Sequence, residues 1–273
     1  MEKEFLTLKN HSELKNKKLF VLDMDGTIYL EETVIPGAVE FINTLREQGK
    51  DYLFFTNNSS KDGTMYVEKL NRLGFYAPPE KIMTSGDVTI NFLKTLRPGK
   101  TVYLSGTPAL EKSFRENGIP LTDENPDIVV IGFDLTLTYE KIDKMCHYIR
   151  NGAEFIATHP DVNCPVEKGF LPDCGAMCAM IEASTGKSPK YLGKPQPETI
   201  EAILRVTGLH KEDIAVVGDR LATDIALGVY HGVTSILMLT GATSKEDLAA
   251  SSIKPSYVFD SIMDLYKILK EGA

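Results

Sequence analysis

The 273-residue sequence predicts an α/β protein built on a parallel sheet. Three observations predict it. Short apolar runs such as Leu19-Phe20-Val21-Leu22, Tyr52-Leu53-Phe54-Phe55 and Ile214-Ala215-Val216-Val217 read as strands buried on both faces. Segments with helical apolar spacing alternate with them, the signature of βαβ units. Each run ends in small polar or acidic residues, as at Asp23, Thr56 and Gly218-Asp219. In an open α/β sheet, ligands bind beyond the carboxyl ends of the strands.

Taken in order, residues 1–17 read as a loosely attached lead-in before a strand at about 18–23. Pro36-Gly37 opens a helix with Val39, Phe41, Ile42 and Leu45 apolar, and Gly49 closes it. A strand at 52–55 runs into Thr56-Asn57-Asn58-Ser59-Ser60, then a helix at about 62–73 and a short strand at 81–84. Ser85 or Asp87 is expected to cap a helix running to Leu96. Strands at 101–104, 127–131 and 154–157 alternate with helices at 108–117 and 139–151. The stretch 159–173, with three Pro, reads as irregular, and 175–184 as a helix. Pro195 and Pro197 suit a turn before a helix at 198–207. Strands at 214–217, 233–237 and 257–259 follow, the last at an edge, then a helix at 261–269. Turns at 97–100 and 186–189 bracket a second run of alternations. The predicted organisation is a core of 1–84 and 190–273 with an inserted α/β domain at 85–189.

Composition narrows the function classes. Lys and Arg number 30 against 38 Asp and Glu, a net charge of −8 with no basic stripe, which argues against a nucleic-acid partner. No apolar run is long enough for a membrane span, and no apolar signal segment opens the chain, so no membrane role is expected. The four Cys form no C-x-x-C pair and no disulfide framework, which suits a reduced, cytoplasmic setting. Gly-x-Gly-x-x-Gly and P-loop patterns are absent.

Four polar clusters are expected at strand ends: Asp23 with Asp25, Thr56 with Asn57, Lys194, and Asp219 with Asp224. Strand alternation aims Asp23 and Asp25 the same way, where both can face one cation. Each cluster alone has an ordinary reading: a strand-end turn, a helix cap, a solvated lysine. The ordered set carries the argument. Asp23-Met24-Asp25-Gly26-Thr27, Thr56-Asn57-Asn58-Ser59, Gly193-Lys194-Pro195 and Gly218-Asp219-Arg220-Leu221-Ala222-Thr223-Asp224 resemble, in order, the four motifs of the haloacid dehalogenase superfamily. The insertion between the second and third motifs, with Thr56-Asn57-Asn58-Ser59, resembles its NagD-like (4-nitrophenylphosphatase-like) branch.

That resemblance implies a Rossmann-like doubly wound core, a mobile C2-type cap, and Mg²⁺-dependent hydrolysis of small phosphomonoesters through an aspartyl-phosphate. It also implies a homodimer through the cap. Asp23 is then the nucleophile and a metal ligand, and Asp25 the general acid and base. By the same analogy the Asp25 main-chain carbonyl also reaches the metal. Thr56 and the Asn57 amide hold phosphoryl oxygens, and Lys194 balances charge. Asp219 is the third metal contact, with Asp224 behind it orienting waters or Lys194. Oxygen-only ligands favour Mg²⁺ over Zn²⁺.

Within the insert, His159, Asp161 and Asn163 are expected as the polar face of a loop that reads the leaving group. His159 stands where the branch often has Asn, which weakens any transfer of specificity from relatives. His159, Cys164, Cys174 and Cys178 are zinc-capable types without a recognised zinc spacing, and buried Cys is commonly a small hydrophobe. Met177 and Met180 are expected in the insert's core. The alternatives are a catalytically silent relative that binds a phosphometabolite or a protein, and a receiver-like signalling module. The full set Asp23, Asp25, Lys194 and Asp219 argues against the first, and the insert with its second acid argues against the other. Dehalogenation needs no metal and leaves Asp25 and Asp219 without a task.

Overall fold

The computed structural model describes residues 11–166 and 168–271. The chain divides into two compact units. The first comprises the residues up to Phe55, Tyr66–Ile82 and those from Ile203 onward; the second comprises Thr56–Met65 and Met83–Ala202.

A six-stranded sheet runs in the order Tyr257–Phe259, Thr234–Met238, Ile214–Gly218, Leu19–Leu22, Asp51–Thr56, Ile82–Thr84. The pairings among the first five of these strands are all parallel. The first strand, Leu19–Leu22, therefore lies inside the sheet; the chain winds out to one side through 51–56 and 82–84, and returns to wind out on the other. The order reverses between Leu19–Leu22 and Ile214–Gly218, and a crevice at such a reversal is where open α/β sheets bind ligands. All four residues of Leu19–Leu22 and all five of Ile214–Gly218 are buried, which explains their unbroken apolar character.

Helices form where the sequence has an apolar stripe. Ala38–Glu47 buries Ala38, Phe41, Ile42 and Leu45, and Ile262–Lys270 buries Ile262, Leu265 and Leu269. The two pack closely: at Gly37, with φ +87°, an added Cβ would lie 2.8 Å from the Met263 Cα. The lead-in is more firmly attached than expected over its described part. Ser12–Asn16 is a helix whose Leu14 is fully buried, and His11 packs on the rings of Tyr257 and Phe259. One buried leucine in a charged run gives no periodic signal. Residues 1–10 lie outside the described residues.

The second unit holds a parallel four-stranded sheet in the order Lys190–Tyr191, Glu154–Ala157, Ile128–Ile131, Val102–Ser105. Its helices are Ser85–Leu96, Pro108–Glu116, Tyr139–Arg150 and Cys174–Thr185. The first is capped by Thr84 rather than by Ser85 or Asp87. Asp87 instead closes a capping box, its carboxylate accepting from the Thr84 backbone N–H at 2.8 Å. The stretch expected to be irregular contains an antiparallel hairpin, Asn163–Val166 with Gly169–Pro172. Almost every residue in it is exposed and both strands carry Pro, so no alternation of apolar and polar residues marked it.

Candidate active site

In the first unit, the strand Leu19–Leu22 delivers Asp23 and Asp25 to its carboxyl end. Met24 between them is buried, while Asp23 is half-buried and Asp25 exposed, so the two acids share the outward side. The Asp23 N–H donates to the Val217 carbonyl at 2.9 Å, which ties Asp23 to the neighbouring strand end. That strand leads into Asp219, and a five-residue π-helical turn, Leu221–Ile225, carries Asp224. Such turns are rare and concentrate at functional sites.

One carboxylate oxygen from each of Asp23, Asp219 and Asp224 comes within 4.8 Å of the other two. Asp219 and Asp224 are buried. The Ala242 N–H donates to Asp219 Oδ2 at 2.6 Å, and the Arg220 N–H to Asp224 Oδ2 at 3.1 Å. Glycines give the carboxylates their space. A Cβ on Gly241 would sit 2.0 Å from Asp219 Oδ2, one on Gly26 2.5 Å from the same atom, and one on Gly218 2.2 Å from Asp224 Cγ. Two unit charges at this separation repel by about 3–4 kcal/mol at an effective dielectric near 20. Three carboxylates brought together offer oxygen ligands of the kind that suit a hard divalent cation. The Asp224 carboxylate, expected behind the metal ligands, is a member of this group. The Asp25 carboxylate is not a member of this group; the backbone at Asp25 forms an isolated β-bridge with Tyr29.

In the second unit, Asn57 and Lys194 are paired. Asn57 Nδ2 donates to the Lys194 carbonyl at 2.9 Å, and the Lys194 N–H donates to Asn57 Oδ1 at 2.8 Å. Asn57 Nδ2 also lies 3.2 Å from Asp161 Oδ2. Gly193, at φ +66°, permits this approach: a Cβ there would meet the Thr158 carbonyl at 2.7 Å and Asn57 Oδ1 at 2.9 Å. Thr56 Oγ1 accepts from the Asn58 N–H at 3.1 Å, and Asn58 Oδ1 accepts from the Ser60 N–H at 2.9 Å. Thr56, Asn58 and Ser60 thus bond within the run, while Asn57 and Ser59 bond to residues outside it.

His159 is not on an exposed polar face. It is fully buried, with Nε2 2.9 Å from Asp173 Oδ1 and Nδ1 2.9 Å from Thr158 Oγ1 and 3.3 Å from Ser85 Oγ. Asp173, which caps the helix Cys174–Thr185, draws the ring inward. Burial disfavours the imidazolium, but the Cys174 sulfur and the carboxylates of Asp173 and Asp161 outweigh it and raise the His159 pKa to about 9. Asp161 is half-buried and Asn163 exposed. Among the described residues, the four zinc-capable side chains do not form one ligand group. His159 groups with Asp161 and Asp173, whereas Cys164 lies against Asn58 Nδ2 at 3.9 Å. Cys174 and Cys178 belong to the apolar core of this unit, as does partly buried Met177; Met180 is exposed rather than in the core. Ser85 was marked in the sequence only as a helix cap, and Thr158 and Asp173 were not marked, because their contacts with His159 arise from the packing.

A parallel sheet with a cradled acidic cluster at its reversal point defines an α/β protein with a candidate cation site beyond its strand ends. Comparison with known proteins takes this further. Residues 20–120 match a family model described as haloacid dehalogenase-like hydrolase, and 191–265 match a second described as HAD-hydrolase-like. The acid sugar phosphatase of Staphylococcus saprophyticus is 38% identical over 94% of this chain and 99% of its own length. The solved 4-nitrophenylphosphatase of Thermotoga maritima aligns with a TM-score of 0.90 at 46% identity, covering 94% of this chain and 99% of that one. NagD of E. coli K-12 aligns with a TM-score of 0.86 at 34% identity over 91% of this chain and 98% of that one. The chain belongs to the haloacid dehalogenase-like hydrolases, in their NagD-like branch, and is a phosphatase of that family. No helix among the described residues is long and apolar enough to cross a membrane.

Proposed function

We propose that this phosphatase hydrolyses small-molecule phosphomonoesters, of the sugar-phosphate or nucleotide type, with Mg²⁺ and through an aspartyl-phosphate on Asp23. The observation that carries the reading is the convergence of Asp23, Asp219 and Asp224 at the sheet's reversal point. In this reading Asp23, Asp219 and the Asp25 main-chain carbonyl hold the metal, with the Asp224 carboxylate beside them. Bound Mg²⁺ supplies positive charge against the phosphoryl oxygens and the acidic cluster.

The Asp23 carboxylate attacks phosphorus, forming an O–P bond as the bond to the leaving alcohol breaks. Asp25, exposed and on the same side, gives its proton to the leaving oxygen, then takes one from the water that attacks the aspartyl-phosphate. Inorganic phosphate leaves and Asp23 is restored. The Thr56 hydroxyl and Lys194 face phosphoryl oxygens in this assignment. With the Asn57 side chain committed to Lys194, any hold by Asn57 falls to its backbone N–H. The insert at 85–189 acts as the cap and selects the leaving group; the protein works in the cytoplasm, as a homodimer through the cap. The phosphatase names of the relatives support the substrate class.

The experiment is a panel of phosphomonoesters, including 4-nitrophenyl phosphate, assayed with Mg²⁺ and with EDTA. Activity should require Mg²⁺, and acid quenching should trap a phosphoenzyme that Asp23→Asn lacks. Full turnover in the chelator overturns the metal assignment, and a phosphoenzyme in Asp23→Asn overturns the nucleophile.

A further inference from the structure

The three side chains His159, Asp161 and Asp173 come within 4.8 Å of one another, and a hydrogen bond joins the first and the last. Asp173 Oδ1 faces His159 Nε2 at 2.9 Å and accepts from the Cys174 N–H at 2.6 Å. The Asp173 N–H donates to the Val162 carbonyl at 2.9 Å, which closes the base of the hairpin 163–172. On the other side of the ring stands Ser85, whose hydroxyl donates to the Asn57 carbonyl. A hydroxyl has one proton, so toward His159 the Ser85 oxygen is an acceptor. The Thr158 hydroxyl lies 2.9 Å from Nδ1, 2.9 Å from Ser59 Oγ and 3.8 Å from Cys174 Sγ. With Nε2 against the Asp173 carboxylate, the ring is held between Asp173 on one side and Thr158 and Ser85 on the other.

The run ends on Asn57, and Asn57 is the residue that holds Lys194. Its carbonyl is fixed by Ser85, and its side chain takes both the N–H and the carbonyl of Lys194. Asp161, at the start of the hairpin loop, reaches the same side chain at 3.2 Å. Two routes thus lead from the base of the hairpin to the Lys194 backbone. We propose that His159 is a positioning residue for Lys194: the run Asp173–His159–Ser85–Asn57 fixes the Asn57 side chain, and Asn57 fixes the lysine. The hairpin base is thereby coupled to the position of a charge used in the chemical step. The inference rests on the reading that Lys194 balances charge on the transferring phosphoryl group.

A misplacement of about 1 Å at a reacting centre lowers turnover by around 100-fold. Steady-state kinetics on 4-nitrophenyl phosphate, with thermal melts, test the proposal on the full chain. His159→Ala and Asp173→Asn should each lower kcat by about 10- to 100-fold with KM changed by less than about threefold. The His159→Ala/Asn57→Ala double variant should fall no further than Asn57→Ala alone, because both changes act through one run. His159→Gln, whose amide can donate to Asp173, should recover part of the kcat lost in His159→Ala. Wild-type kcat in a folded His159→Ala, or additive losses in the double variant, overturns the proposal. If His159→Ala does not melt cooperatively, Asp173→Asn, which keeps the ring and the shape of the cap, is judged by the same criteria. Lys194→Ala separates the two levels. Wild-type kcat in that variant defeats the reading of Lys194 itself, whereas an inactive Lys194→Ala beside a wild-type His159→Ala defeats only the positioning role.

Discussion

The two units use acids differently. In the first, carboxylate oxygens of Asp23, Asp219 and Asp224 are gathered in one place, Asp219 and Asp224 each also accepting a backbone N–H, with glycines at 26, 218 and 241 keeping side chains out of the space around them. In the second, each buried acid is turned toward donors. Asp134 accepts from Ser105 Oγ at 2.9 Å, Lys141 Nζ at 2.7 Å and the Thr136 N–H at 2.8 Å, and Asp173 accepts from the Cys174 N–H and faces His159. Like charges gathered in one place raise the free energy of the bare protein and are retained where a cation is to be held. Charges matched to donors inside the fold fix its shape. The contrast teaches that acidity alone does not mark a reaction site. The direction in which the carboxylates point does.

The largest expected effect tests the first kind of site. Asp23→Asn keeps the shape and removes the nucleophile, so turnover should fall by roughly 10⁴-fold or more with the melting temperature unchanged or raised. Near wild-type turnover in that variant would dissolve the contrast. Next is Gly241→Ala, which puts a methyl group 2.0 Å from Asp219 Oδ2. It should raise the Mg²⁺ concentration needed for half-maximal activity by about 10- to 100-fold, as lost support of a metal ligand does. An unchanged Mg²⁺ dependence would mean that the cradle is not shaped for a metal.

Asp134, remote from any catalytic assignment, should answer in stability and not in turnover. Burial raises the Asp134 pKa, but hydrogen bonds from Lys141, Thr136 and Ser105 outweigh it and leave the pKa below its ordinary value of 3.8. A carboxylate whose folded pKa is depressed stabilises the protein above its unfolded pKa and loses that contribution as pH falls. Asp134→Asn should therefore destabilise by about 1–3 kcal/mol at pH 7 and by progressively less below pH 4, read by denaturant melts. A difference that stays constant into acid would sink the assignment.

The smallest expected effect concerns His159. Asp173, Asp161 and Cys174 face the ring, and its pKa stands at about 9 against an ordinary 6.5. The sign is opposite to that of Asp134. A raised pKa gives stability that is complete below about pH 6.5 and is lost as pH rises through about 9. The melting-temperature gap between wild type and His159→Gln should narrow by about 2–4 °C across that range. A gap that widens would show the ring to be neutral.

How legible was all this in the sequence? The strands and most helices were, because buried strands must be apolar throughout and surface helices must carry a stripe. The runs 19–22, 52–55 and 214–217 and the stripe Phe41, Ile42 and Leu45 carry that signal with little ambiguity. The hairpin 163–172 was not legible, since an exposed ribbon leaves no apolar pattern. Among the site residues, Asp23 and Asp219 were marked by their place at strand ends, and Asp224 by the motif that follows. The burial of His159 was not: a polar residue beside Pro160 and Asp161 reads as surface until Asp173 is seen beneath it. Likewise the Asn57 side chain was not legible as the partner of Lys194, because 137 residues separate them.

The sequence by itself determined the fold class, the family and the identity of the acids at the strand ends. Each of these is written in local patterns of a few residues, where backbone periodicity and side-chain type act over one element. Only the tertiary structure decided that Asp224 joins Asp23 and Asp219, that three glycines make room for them, and that His159 faces inward toward Asp173 and Ser85. Those outcomes depend on which strand ends become neighbours when the sheet is assembled. Hydrogen bonds between residues 14 to 137 positions apart follow from that packing, and no local pattern encodes them.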